Sequence, residues 1–213
     1  VGDDGRVSDS SREIVTPRGP ALVDLTPASG RRKSLLVLGH GAGGGVNAPD
    51  LVALRDAACA AGVTVARVTQ PYRVAGRRAP APAPQLDEAW VAVVRELLAD
   101  HPKARLVVGG RSSGARVACR TAADLGAVAI VCLAFPLPPP GRPERSRQDE
   151  LPAGVPTLVL NGDRDPFGVP VGGPDTLIEV RPGEGHDLRR DPKGTAGIAV
   201  DWVRRPSRTK CYD

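Results

Sequence analysis

Two serines stand side by side in GGRSSGA, residues 109–115. A serine hydroxyl is a poor nucleophile unless a base takes its proton and an acid steadies the base. Centred on Ser112, the pattern G-x-S-x-G places Gly110 and Gly114 two residues to either side; centred on Ser113, those places fall to Arg111 and Ala115. A sharp strand-to-helix bend that exposes a serine needs tiny flanking residues, so Ser112 is the candidate nucleophile. Ser113 then offers its backbone N–H at the head of the following helix, one donor of an oxyanion hole. A glycine-rich turn capped by serine is the plainer reading of these residues, and the partners decide between the two.

The chain has three histidines. His101, in ADHPK, falls at a helix end on the side away from the strand ends. His40 lies in the loop GHGAGGG (39–45), where His40, Gly41 and Ala42 form an HG-x turn whose N–H groups are aimed at a developing oxyanion. His186, in GEGHDL, follows the last apolar run and is the candidate base. For the acid, LVLNGDRDP offers Asp163 and Asp165. Asp165 is preferred, because Asp163 sits in the turn and suits capping it. Asp175 and Asp187 are lesser candidates. The order Ser112, Asp165, His186 is the chain order of one particular hydrolase architecture.

These side chains must be delivered by strands. SLLVLG (34–39), VTVARV (63–68), ARLVVGG (104–110), AVAIVCLAF (127–135), PTLVLNG (156–162) and DTLIEV (175–180) are near-continuous apolar runs, as expected of strands covered on both faces. Residues 49–62, 87–101 and 113–126 space their apolar residues three and four apart, which predicts helices, and 194–205 predicts a closing helix. Residues 12–17 and 21–27 suit an antiparallel opening hairpin. Alternating strands and helices give a parallel sheet with helices on both faces, and ligands then bind outside the carboxyl ends of the strands. Each candidate follows its own strand at that edge. The Pro-rich stretches 77–85 and 136–154 are connections too short for a folded lid.

Composition narrows the class further. With 41% hydrophobic and 25% charged residues the chain reads as a single globular domain over residues 12–206, with tails at 1–11 and 207–213. No apolar window is long enough for a membrane span. The polar, acidic start is unlike a signal peptide, and the absence of Met fits a trimmed end or an unusual start codon. The net charge of +5 comes from scattered arginines, and 3% aromatics leave little for stacking bases, so no nucleic-acid role is expected. Cys59, Cys119, Cys132 and Cys211 form no C-x-x-C pair, which favours reduced thiols and a cytoplasmic setting. Scattered histidines and unpaired cysteines make a poor ligand set, so no metal is expected.

Taken together, LVLGHGAGG, GGRSSGAR, LVLNGDRDPFG and GEGHDL resemble the α/β-hydrolase superfamily over roughly residues 12–206. The likeness is to a compact, lidless branch that includes dienelactone-hydrolase-like proteins and hydrolase-like testis-expressed and chromatin-complex proteins. The resemblance implies an eight-stranded, mostly parallel sheet with Ser112 as nucleophile and Asp165 and His186 as its relay. It also implies the N–H groups of Ser113 and Ala42 as oxyanion donors. His40, Gly41 and Arg111 are expected to contact substrate. The expected activity is hydrolysis of a carboxylic ester or thioester of a small-molecule acyl substrate, without a cofactor. A catalytically silent hydrolase-like binding protein is the first alternative. The second is an NADP-binding fold that reads Gly39, Gly41 and Gly44 as a dinucleotide fingerprint, with Arg67 or Arg73 on the 2′-phosphate. Arg73, Arg77 and Arg78 also suit an anionic substrate. PFGVPVGGP, after Asp165, is Gly- and Pro-rich where relatives carry a helix, so that side of the site is expected to be open or reshaped.

Overall fold

Strands whose every position is apolar cannot face water, and the centre of the sheet that collects them is covered on both sides. The computed structural model describes residues 10–28, 34–138 and 145–205. In chain order the elements are β1 (Ser10–Thr16), β2 (Gly19–Thr26), β3 (Ser34–Gly39), α1 (Pro49–Ala60), β4 (Thr64–Thr69), α2 (Pro71–Val74), α3 (Ala83–Asp100), β5 (Arg105–Arg111), α4 (Ser113–Thr121), β6 (Ala129–Leu133), β7 (Thr157–Gly162), β8 (Thr176–Arg181) and α5 (Pro192–Arg204). One sheet of eight strands runs β1-β2-β4-β3-β5-β6-β7-β8. Only β2 is antiparallel to its neighbours, β1 and β4; every other pairing is parallel.

Two apolar layers sandwich this sheet. On one face α1 and α5 pack together, burying Leu51, Leu54, Ala199 and Val203 against Leu36, Leu38 and Leu158. On the other, α3 and α4 bury Trp90, Val93, Leu97 and Ala118 against Val37, Val108 and Ile130. The sheet's central strands are therefore held from above and below, and their carboxyl ends present a row of loops at one edge.

All eight expected strands are present, but β8, expected to be covered on both faces, is an edge strand with Leu177 and Val180 exposed; the other differences lie in the helices. Helix α3 begins at Ala83 rather than at 87, because Pro84 falls in the first turn, where its missing N–H has no helical partner to lose. Helix α4 stops at Thr121 instead of 126; the Thr121 hydroxyl bonds back to Val117 O at 2.8 Å, and the chain passes through turns to Gly126 at φ +65°. The single-turn α2 was not expected. Helix α5 starts at Pro192, capped by Asp191, whose carboxylate accepts from Gly194 N at 2.9 Å. Ser10 and Ser11, placed in the expected tail, are strand residues; positions 1–9 and 206–213, including Cys211, lie outside the described residues. No helix among the described residues is long and apolar enough to cross a membrane.

Candidate active site

The bend at Ser112 follows from three glycines. Strand β5 pairs with β3 so that Gly110 sits opposite Gly39, and the start of α4 then folds back onto the same spot. A β-carbon on Gly110 would lie 2.5 Å from Gly39 O, and one on Gly114 would lie 2.4 Å from Gly39 C and O. No side chain fits either place. Ser112 is left at the apex with φ +53° and ψ −111°, left-handed backbone that a serine adopts only under constraint. The constraint includes a backbone bond from Ser112 N to Leu133 O of 2.9 Å, which ties the apex to the end of β6.

The three side chains picked from the sequence meet at this apex. His186 Nε2 is 2.9 Å from Ser112 Oγ, and His186 Nδ1 is 2.8 Å from Asp165 Oδ2. The Asp165 carboxylate is fully buried, while the His186 ring is 20% exposed. Asp165 Oδ1 accepts from Phe167 N at 2.8 Å, and the Phe167 ring leans on the imidazole with centroids 4.5 Å apart. Asp163 does lie in the turn, its carboxylate accepting from Gly183 N at 2.7 Å. Residues 166–174 form no helix, and Gly168 (φ +77°) turns the segment against Leu137.

Residues not expected from the sequence to serve the site hold these groups in place. Asn161, fully buried at the end of β7, accepts from Phe135 N (2.8 Å) and donates to Phe135 O (3.1 Å) and Gly168 O (3.0 Å), with Asp165 Oδ2 3.4 Å from the same nitrogen. It joins two strand ends to the loop that carries Asp165. An amide inside the otherwise apolar run TLVLNG is the trace it leaves in the sequence. Glu184, also buried, accepts from Arg190 N and Asp191 N, closing the loop that carries His186.

The glycine loop is fixed in the same way. His40 is 3% exposed, with Nε2 accepting from Gln70 N at 3.1 Å and Nδ1 2.8 Å from Gly41 O. Burial holds its pKa below the ordinary histidine value, and the nearby Arg73 adds to that. Both ring nitrogens are engaged within the protein, so His40 holds the loop instead of meeting substrate as expected. Tyr72, on α2, donates its hydroxyl to Ala42 O at 2.9 Å, and burial raises its pKa, keeping it a phenol. The N–H groups of Ala42 and Ser113 have no hydrogen-bond acceptor among the described residues. At the far end of this loop Arg67, 3% exposed, donates to Val46 O (2.9 Å) and Asn47 Oδ1 (3.2 Å). That removes it as a ligand for a nucleotide phosphate.

Arg111 also differs from expectation. Its Nη2 donates to His186 O at 3.1 Å, and its Nε lies 2.9 Å from the buried Asp50 Oδ2 on α1. Two of its three nitrogens thus face protein groups rather than a substrate. Gly41 is packed beneath, where a β-carbon would meet Arg111 Nη1 at 3.1 Å and Ser112 Cβ at 3.5 Å. Arg73 donates to Arg77 O, and Arg77 and Arg78 are exposed.

Comparison with known proteins follows the same lines. A family described as the alpha/beta hydrolase domain matches residues 32–171. No curated protein matches the sequence. Among solved structures, a lidless α/β serine hydrolase from Xanthomonas campestris superposes with a TM-score of 0.74 at 19% identity, covering 96% of this chain and 100% of that one. A dienelactone hydrolase from Anabaena variabilis gives 0.71 at 17% identity over 92% and 96%. Est1E from Butyrivibrio proteoclasticus, with ferulic acid bound, gives 0.75 at 15% identity over 90% and 97%. The sheet order, the bend after β5 and the family match agree, and the chain belongs to the alpha/beta hydrolase domain family.

Proposed function

We propose that this chain is a serine hydrolase that cleaves a carboxylic ester or thioester, with Ser112 as nucleophile, His186 as base and Asp165 as the group that orients the base. One observation carries the reading: hydrogen bonds run without a break from Asp165 through His186 to Ser112. The buried carboxylate accepts from Nδ1–H, leaving the lone pair of Nε2 facing the serine hydroxyl. On attack the Ser112 proton passes to Nε2 as Oγ bonds to the carbonyl carbon, and the carbonyl oxygen gains the negative charge. The N–H groups of Ala42 and Ser113 are the donors for that oxygen, and removing one such donor typically costs about 2.7–4 kcal/mol of barrier. His186 then returns the proton to the leaving alcohol or thiol. Water, activated by the same imidazole, releases the acyl group. That Est1E holds ferulic acid supports a small acyl compound as the ligand class.

The test is steady-state hydrolysis of 4-nitrophenyl acetate and butyrate and of acetyl and butyryl thioesters. Ser112→Ala is expected to lower kcat by about a thousandfold or more with its fold intact. Hydrolysis of neither class by the wild-type chain, or unchanged hydrolysis by Ser112→Ala, contradicts the proposal.

A further inference from the structure

We infer that Arg111 and Asp50 are a positioning pair that sets where the His186 imidazole stands relative to Ser112. The inference rests on the reading of Ser112 and His186 as nucleophile and base, and it concerns residues that act on the base through its loop. Arg111 is the residue before Ser112 and the last of β5, so its backbone moves with the nucleophile. Its Nη2 reaches across to the His186 carbonyl at 3.1 Å, so one side chain links the strand bearing the hydroxyl to the loop bearing the base. Asp50 anchors the other side of the guanidinium from the first turn of α1, with Oδ1 accepting from Leu51 N at 2.9 Å.

The geometry of the pair argues for placement over stability. Asp50's side chain has no exposure, and Arg111's has 15%. The two charges are in contact at 2.9 Å, yet neither Arg111 Nε nor Asp50 Oδ2 makes a well-aimed hydrogen bond. Buried ion pairs with imperfect geometry are often no better for stability than apolar residues of the same volume. What this pair does achieve is a guanidinium held still, with Nη2 aimed at one carbonyl. The loop needs that hold. Glu184 closes it at one end, with Glu184 O accepting from Arg164 N at 3.0 Å, Leu188 N bonds Gly185 O at 3.3 Å beyond His186, and the imidazole is tethered at Nδ1; the bond from Arg111 is what fixes the His186 carbonyl itself.

Arg111→Met, Asp50→Leu and the double variant separate placement from stability when kcat, KM and thermal midpoint are measured together on 4-nitrophenyl acetate. Each single variant leaves one buried charge without its partner, so its midpoint falls by several degrees. In Arg111→Met kcat falls about 10- to 100-fold, with KM changed less than about threefold, as expected when a base is displaced by a fraction of an ångström. The double variant removes both charges and carries the test alone if a single variant does not fold: its midpoint returns toward wild type while kcat stays low. Recovery of kcat together with the midpoint overturns the inference and leaves the hydrolase reading standing. A wild-type chain that neither hydrolyses the ester nor takes a fluorophosphonate on Ser112 overturns both.

Discussion

His40 shows how much a single residue's environment decides. Because Gln70 N–H donates to Nε2, the ring proton must sit on Nδ1, where it goes to Gly41 O. Protonating Nε2 would break the first bond and bury a charge beside Arg73. The folded pKa is lowered, chiefly by burial, so below the ordinary histidine value of 6.5 the unfolded chain binds a proton that the folded chain refuses. Stability is therefore fully present above that value and declines as pH falls toward the folded pKa. Urea unfolding between pH 7 and 5 should show a steeper loss for wild type than for His40→Gln; parallel curves contradict this placement of the proton. Ser112, Asp165 and His186 could be picked out because each follows an apolar run, and a run's end marks the sheet edge. Tyr72, Asn161 and Asp50 could not be, since their roles depend on contacts across that edge. Arg111 was expected to contact substrate, because its partner Asp50 lies on α1, far along the chain, and no local pattern reveals it.

Among the elements, the junction of β3, β5 and α4 is the tightest. Gly39, Gly110 and Gly114 let the three backbones touch, and Trp90 closes the space behind them, with Cζ3 3.3 Å from where a Gly39 β-carbon would stand. Gly114→Ala puts a methyl group into backbone atoms that cannot swing aside. Overpacking of this kind costs about 1–3 kcal/mol or more. Gly126→Ala, where nothing lies within 4 Å, meets only the positive φ and is the control for strain alone. Urea midpoints should place Gly114→Ala well below Gly126→Ala, and only the former should also lose ester hydrolysis. Equal losses in stability, with hydrolysis kept in both, contradict the role given to the junction. The glycine spacing was legible in the sequence as a requirement for small residues; that the obstacle is the backbone of Gly39 was not. Helix ends were less legible than strands. Periodicity cannot register one turn such as α2, and it cannot see that the apolar spacing after Thr121 continues in turns.

At the scale of the whole molecule, one sheet divides the core into two layers, so damage to either layer loosens the strands that both share. Leu54 belongs to the layer under α1 and α5, and Leu97 to the one under α3 and α4; both are fully buried. Leu54→Ala and Leu97→Ala should each cost about 2–5 kcal/mol. Each should shift a single unfolding transition, seen alike by tryptophan fluorescence and far-ultraviolet circular dichroism. Two separate transitions in either variant contradict a shared core. The alternation of strands and helices made the fold class legible, since each run needs cover that only the next helix supplies. The strand order was not legible throughout: β2 lies against β4 rather than the next strand β3, a long-range choice with no local mark.

The proposed chemistry begins with Ser112 as the group that attacks. Peptide mapping by mass spectrometry after treatment with a fluorophosphonate tests it most directly. The expected result is one adduct on Ser112, absent in Ser112→Ala and formed about a hundredfold more slowly, or slower still, in His186→Ala. An unmodified Ser112 under conditions that label a control serine esterase, or an adduct on another residue that survives Ser112→Ala, contradicts it.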